Sequence, residues 1–127
     1  MMLATVLFLA AAVQQPNCAD ADTQTDMTIC AGRDYKAADA ALNAQWKITY
    51  AKMKAWDAEG LSNDGRPGHA PVLLDGQRAW LKYRDAHCVS EGYYARGGSM
   101  EPMLVSRCLA ELTKKRTEQL RELAESN

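Results

Sequence analysis

Apolar residues recur at steps of three and four through most of this chain, and three stretches carry the pattern. From residue 27 to about residue 59, Met27, Ala31, Tyr35, Ala38, Leu42, Trp46, Thr49, Met53 and Trp56 form one stripe. That is the period of an amphipathic helix. Thr23-Gln24-Thr25-Asp26 fits a capping box before it, and Gly60 supplies a stop after it. Such a helix of about 35 residues would be roughly 50 Å long, a length at which a break or kink competes with a straight rod. Its apolar face must be covered by other helices.

A second helix is expected over residues 72–90. Leu73, Gln77, Trp80, Arg84 and Cys88 lie on one stripe, widened by Leu74 and Leu81. Pro71 suits a first helical turn, while Gly76 costs about 1 kcal/mol against Ala in a helix interior. Gln77 and Arg84 are polar positions on an apolar face, which leaves two readings. In the favoured one the Arg84 stem snorkels beside a half-buried Trp80. In the other, Arg84 enters a buried cluster with Asp85 or with a carboxylate from another helix. A third helix follows, with Ser99 as N-cap, Glu101 and Pro102 in its first turn, and an end near residue 124. Its expected face is Val105, Leu109, Leu112, Arg116, Leu120 and Leu123. Residues 61–71 and 92–98 read as loops from their Gly, Pro, Asn and Asp content. The fold class is therefore all-α: a small three-helix domain with one long N-terminal helix and a helical hairpin.

The N-terminus has a different character. Residues 3–13 are uncharged and apolar, and would span only about 16 Å as a helix, well short of a bilayer. Ala10-Ala11-Ala12 offers the small residues that signal peptidase needs. Residues 1–12 are read as a signal peptide, although no Lys or Arg precedes the apolar run. Residues 13–127 are read as the mature domain, periplasmic or secreted and without a stable membrane anchor.

Composition narrows the function classes. The 127 residues carry a formal net charge of −1, which argues against a general nucleic-acid binder. Four cysteines, Cys18, Cys30, Cys88 and Cys108, suit disulfides in a small exported chain. Cys88 near the end of the second helix comes level with Cys108 in an antiparallel hairpin, and Cys18 and Cys30 flank a short irregular run. The pairing Cys18–Cys30 and Cys88–Cys108 is the simplest, so the hairpin is disulfide-clamped. The spacings do not resemble paired zinc ligands. No metal or cofactor is expected.

Catalytic motifs are missing from the sequence as well. His69 and His87 belong to no hydrolase, metalloprotease or phosphate-binding pattern. His87 and Cys88 are neighbours, so a helix points them about 100° apart, and paired cysteines leave no thiolate nucleophile. Tyr93, Tyr94, Arg96 and Ser99 crowd a Gly-rich loop and are the candidate protein-binding residues. Tyr and Arg are common interface anchors, and a stapled loop loses less entropy on binding. The competing reading folds the tyrosines back as a lid over the helix ends.

These residues also carry a family resemblance. Met27-Thr28-Ile29-Cys30-Ala31, Tyr35, Ala38-Asp39 and Leu42-Asn43 come first. Gln77-Arg78-Ala79-Trp80, Tyr83-Arg84-Asp85 and Cys88 follow. Gly97-Gly98-Ser99-Met100, Pro102-Met103, Cys108-Leu109, Leu112-Thr113 and Arg116 complete the set. Together they resemble the bacterial family of the lysozyme inhibitor LprI, over about residues 18–120. Gly76 and Trp46 depart from the family pattern. The resemblance implies an exported helical domain, no enzyme, and lysozyme or another envelope protein as partner. Arg66 and His69 in the first loop are a second candidate contact. The alternative is a periplasmic helical scaffold with no lysozyme target.

Overall fold

The computed structural model of the protein describes residues 15–60 and 63–126. The expected signal peptide lies outside the described residues. Three helices and one short 3₁₀ turn follow in order: α1 Gln24–Glu59, α2 His69–Gly92, the turn Tyr93–Ala95, and α3 Glu101–Glu125. No strand occurs among the described residues.

Helix α1 starts where the capping box places it. The Thr23 side chain accepts a hydrogen bond from the Asp26 amide (3.1 Å), and Gly60 closes the helix in the left-handed region at φ 66°. Between them α1 is continuous for 36 residues, so the kink weighed above does not interrupt it. Its parallel partner is α3, and the two form the most extensive contact in the molecule. The buried Thr49 hydroxyl donates to the Leu120 carbonyl (2.8 Å), and the Lys52 ammonium donates to the Ala124 carbonyl. At the other end Gln24 Nε2 reaches the Met103 sulfur at 3.5 Å. Helix α2 runs antiparallel to α3 and completes the bundle.

The core is built from Leu42, Met53, Ala70, Leu73 and Leu120, with Trp46, Tyr50, Trp56 and Trp80 packed around it. The face of α3 differs from the expected one. Its buried residues are Met103, Cys108, Ala110, Thr113, Thr117, Leu120 and Ala124, whereas Leu123 is exposed. Ala110, Thr113, Thr117 and Ala124 put small and hydroxylated side chains on this buried face. The hydroxyl that this buries at Thr117 is satisfied by the Thr113 carbonyl (3.0 Å).

Two helix starts also correct the sequence reading. The N-cap of α3 is Met100 without a side-chain bond, not Ser99, which is exposed. Helix α2 begins at His69, three residues earlier than expected. The Asp57 carboxylate from the end of α1 accepts hydrogen bonds from the His69 amide (2.6 Å) and the Ala70 amide (2.9 Å). A helix N-terminus leaves such amides unpaired and favours negative charge, so Asp57 caps α2 from a distance. Gly68 makes room for it: a Cβ there would lie 2.7 Å from the Asp57 carboxylate.

Candidate functional site

Both disulfides sit at one end of the bundle. Cys18–Cys30 ties the extended N-terminal segment to α1 (Cα–Cα 5.6 Å), and Cys88–Cys108 ties α2 to α3 (Cα–Cα 5.4 Å). The structure thus forms the pairing expected from spacing. Arg33 adds to the first staple by donating to the Gln15 side chain (2.7 Å) and the Pro16 carbonyl (3.1 Å).

The α2–α3 connection emerges at this stapled end. Gly92 lets the end of α2 press against α3, because a Cβ there would stand 2.5 Å from Val105 Cγ2. The 3₁₀ turn then carries Tyr93 and Tyr94 outward. Tyr94 is 88% exposed and Tyr93 is exposed, so neither closes as a lid. The Arg96 guanidinium lies over the Tyr93 ring at 4.4 Å. That stacking restricts Arg96, which leaves its hydrogen-bonding edge to water. Gly97 turns the chain at φ 79°, and the Gly98 amide donates to the Ala95 carbonyl at 2.8 Å. The result is a short, internally bonded projection bearing two tyrosines, one arginine and the exposed Ser99.

The other candidate residues form a different, interior group. Arg84 is 6% exposed and does not snorkel. Its guanidinium bonds Asp85 (3.0 and 2.9 Å) and the Thr113 hydroxyl (3.2 Å), and lies 5.2 Å from the Trp80 ring and 5.5 Å from the Tyr35 ring. The second reading therefore holds for Arg84, which is buried and paired with Asp85, but the Asp85 carboxylate itself is exposed; Thr113 and the two rings replace the water that Arg84 loses. Arg116 donates to the buried Gln77 side chain (2.8 Å) and lies 6.0 Å from the Trp80 ring. Partial burial lowers the Arg116 pKa from its ordinary value, and an arginine stays charged regardless. Gln77, Trp80, Arg84 and Arg116 thus bind α1, α2 and α3 together, while Asp85 is exposed and meets only Arg84 of its own helix. Arg78 is exposed and lies outside this group.

Among the described residues, the two histidines meet no nucleophile. His87 bonds Glu91 (3.1 Å) and stacks on Tyr83 (5.3 Å) on the outer face of α2. The two lie close to the Cys108 sulfur, which is bonded to Cys88 and so is no thiolate ligand. In the first loop Arg66 is paired with Asp64 (2.5 Å), and at the start of α2 His69 meets the Trp56 ring edge-on (5.4 Å). These two residues lie at the far end of the bundle from Arg96. Sequence reasoning missed Asp57, whose role depends on two helices meeting in space. Among the described residues, no helix is long and apolar enough to cross a membrane.

Comparison with known proteins adds the family. The family model described as lysozyme inhibitor LprI matches residues 16–120. An uncharacterized protein of Rhizobium meliloti (strain 1021) is 52% identical over 113 residues, covering 88% of this chain and 81% of that one. No solved structure matches.

Proposed function

The chain belongs to the lysozyme inhibitor LprI family, and on that premise we propose that it is an exported, non-catalytic inhibitor of lysozyme. In this reading residues 1–12 direct export and are removed, and the domain acts in the periplasm or outside the cell. The apolar run at 3–13 and the two disulfides support export.

The contact is the projection formed by Tyr93, Tyr94, Arg96 and Ser99. One observation carries this placement: the turn that joins α2 to α3 holds its tyrosines and arginine out in water while a disulfide fixes its base. Lysozyme cuts its substrate with two carboxylates in a groove. A guanidinium entering that groove offers paired N–H donors to a carboxylate, and flanking tyrosines cover apolar surface. Pre-ordering by the Cys88–Cys108 bond and by Tyr93 lowers the entropy cost of insertion. The near-neutral charge gives little long-range steering, so affinity rests on contact rather than on rapid encounter.

Lysis of peptidoglycan by lysozyme, followed as clearing of a cell suspension, tests the proposal. The purified oxidised protein should slow clearing in a dose-dependent way, and reduction of its disulfides should abolish the effect. Undiminished clearing at large molar excess of folded protein would contradict it.

A further inference from the structure

The end of the bundle opposite the disulfides is built differently. There Met53, Trp56, Val72, Leu73 and Leu123 wall a cleft of ≈ 620 Å³. Val72 is 56% exposed and Leu123 is 39% exposed, so apolar side chains stand in water around the opening. The volume falls within the roughly 300–1,000 Å³ of small-molecule sites, which are likewise mostly apolar with a few polar groups.

Gly76 supplies a second observation. It lines the cleft from the interior of α2, where glycine weakens a helix relative to alanine. Its backbone does not need glycine, because the positive-φ glycines are Gly60, Gly65 and Gly97. Its neighbours do not need glycine either, because a Cβ built there meets nothing within 4 Å. Gly92, in the same helix, has a reason inside the chain: the close approach of Val105. Gly76 is exposed, and with no side chain it leaves the cleft open at this point of its wall.

The rim selects charge. Arg66 is matched by Asp64, and the Asp57 carboxylate, which faces the His69 amide and ring, has no lysine or arginine beside it on the cleft. The amides of Ala70 and His69 that bond Asp57 hold its pKa below the ordinary value, so it is ionised near neutral pH. We propose that this cleft binds a small amphiphile, with its apolar body against Trp56, Val72 and Leu123, its closest approach at Gly76, and an amine at Asp57. The site is independent of the lysozyme contact, which lies at the other end of the molecule.

Amide chemical shifts of the folded protein, titrated with n-octylammonium and separately with octanoate, test the inference. Octylammonium should move the amides around Val72, Gly76 and Leu123 saturably, and bind about fivefold tighter than octanoate. Gly76→Leu should fill the space and weaken binding about tenfold while the helical spectrum persists. Gly76→Ala serves as the folding control, more heat-stable than the parent yet weaker in binding. Scattered unsaturable shifts, tighter binding of octanoate, or parental affinity in Gly76→Leu would each overturn the proposal. So would sedimentation showing a dimer that Gly76→Leu dissociates, because the cleft would then be filled by a second copy.

Discussion

At the scale of single residues, Arg84 governs the interior. Its guanidinium lies near the Trp80 and Tyr35 rings, and its donors reach Asp85 and Thr113. A lysine there keeps the charge but loses the planar fork, so Arg84→Lys should cost about 1–2 kcal/mol in urea unfolding. Arg84→Ala also leaves a cavity and should cost about 2–4 kcal/mol. Equal midpoints for the three proteins would contradict the cluster. Arg84 was visible in the sequence only as a polar residue on an apolar stripe. Its burial depends on Tyr35, which lies 49 positions away and contributes nothing to the local pattern.

Asp57 gives a second test at this scale. Its pKa is lowered chiefly by the Ala70 amide, with the His69 amide and ring adding to the effect. A carboxylate whose folded pKa is depressed stabilises the fold above its unfolded pKa, and the gain is lost as pH falls through the folded one. Asp57→Asn should therefore melt below the parent at neutral pH, with the gap closing below about pH 4. A gap constant with pH would show that the charge does not cap α2.

At the scale of elements, the two interior glycines of α2 make opposite forecasts. Gly92→Ala places a methyl 2.5 Å from a branched side chain and should cost about 1–3 kcal/mol. Gly76→Ala meets nothing and should gain about 0.5–1 kcal/mol through helix propensity. Thermal melts of the two variants check both signs. Helix α1 was legible from end to end, because Thr23, Gly60 and a long stripe are local signals. The face of α3 was not, because Thr113 and Thr117 lie at its buried centre and hydropathy ranks them as surface. The start of α2 was misplaced for a related reason: its cap comes from another helix.

At the scale of the whole molecule, the bundle has a stapled end and an open end. The staples close loops with sequence separations of 12 and 20 residues, each worth about 3 kcal/mol in the chain-entropy account. Cys88→Ser with Cys108→Ser should lose about that much stability and also free the base of the projecting turn. Both disulfides were legible, since an antiparallel hairpin brings Cys88 level with Cys108 and only a short irregular run separates Cys18 from Cys30. The outward pose of Tyr93 and Tyr94 was not, because a Gly-rich loop allows them to fold either way. The open cleft went unread for a similar reason, since its walls come from three helices and only Gly76 hints at it.

The central claim is that the stapled turn is the inhibitory surface. The most direct measurement is the inhibition constant toward lysozyme of the oxidised parent beside that of a Tyr94→Ala, Arg96→Ala double variant. Both side chains are exposed and distant from the core, so the variant should fold as the parent does, which circular dichroism verifies. The account predicts inhibition by the parent and a loss of at least about a hundredfold in the variant. Equal inhibition by the two proteins would contradict it and move the contact elsewhere on the molecule.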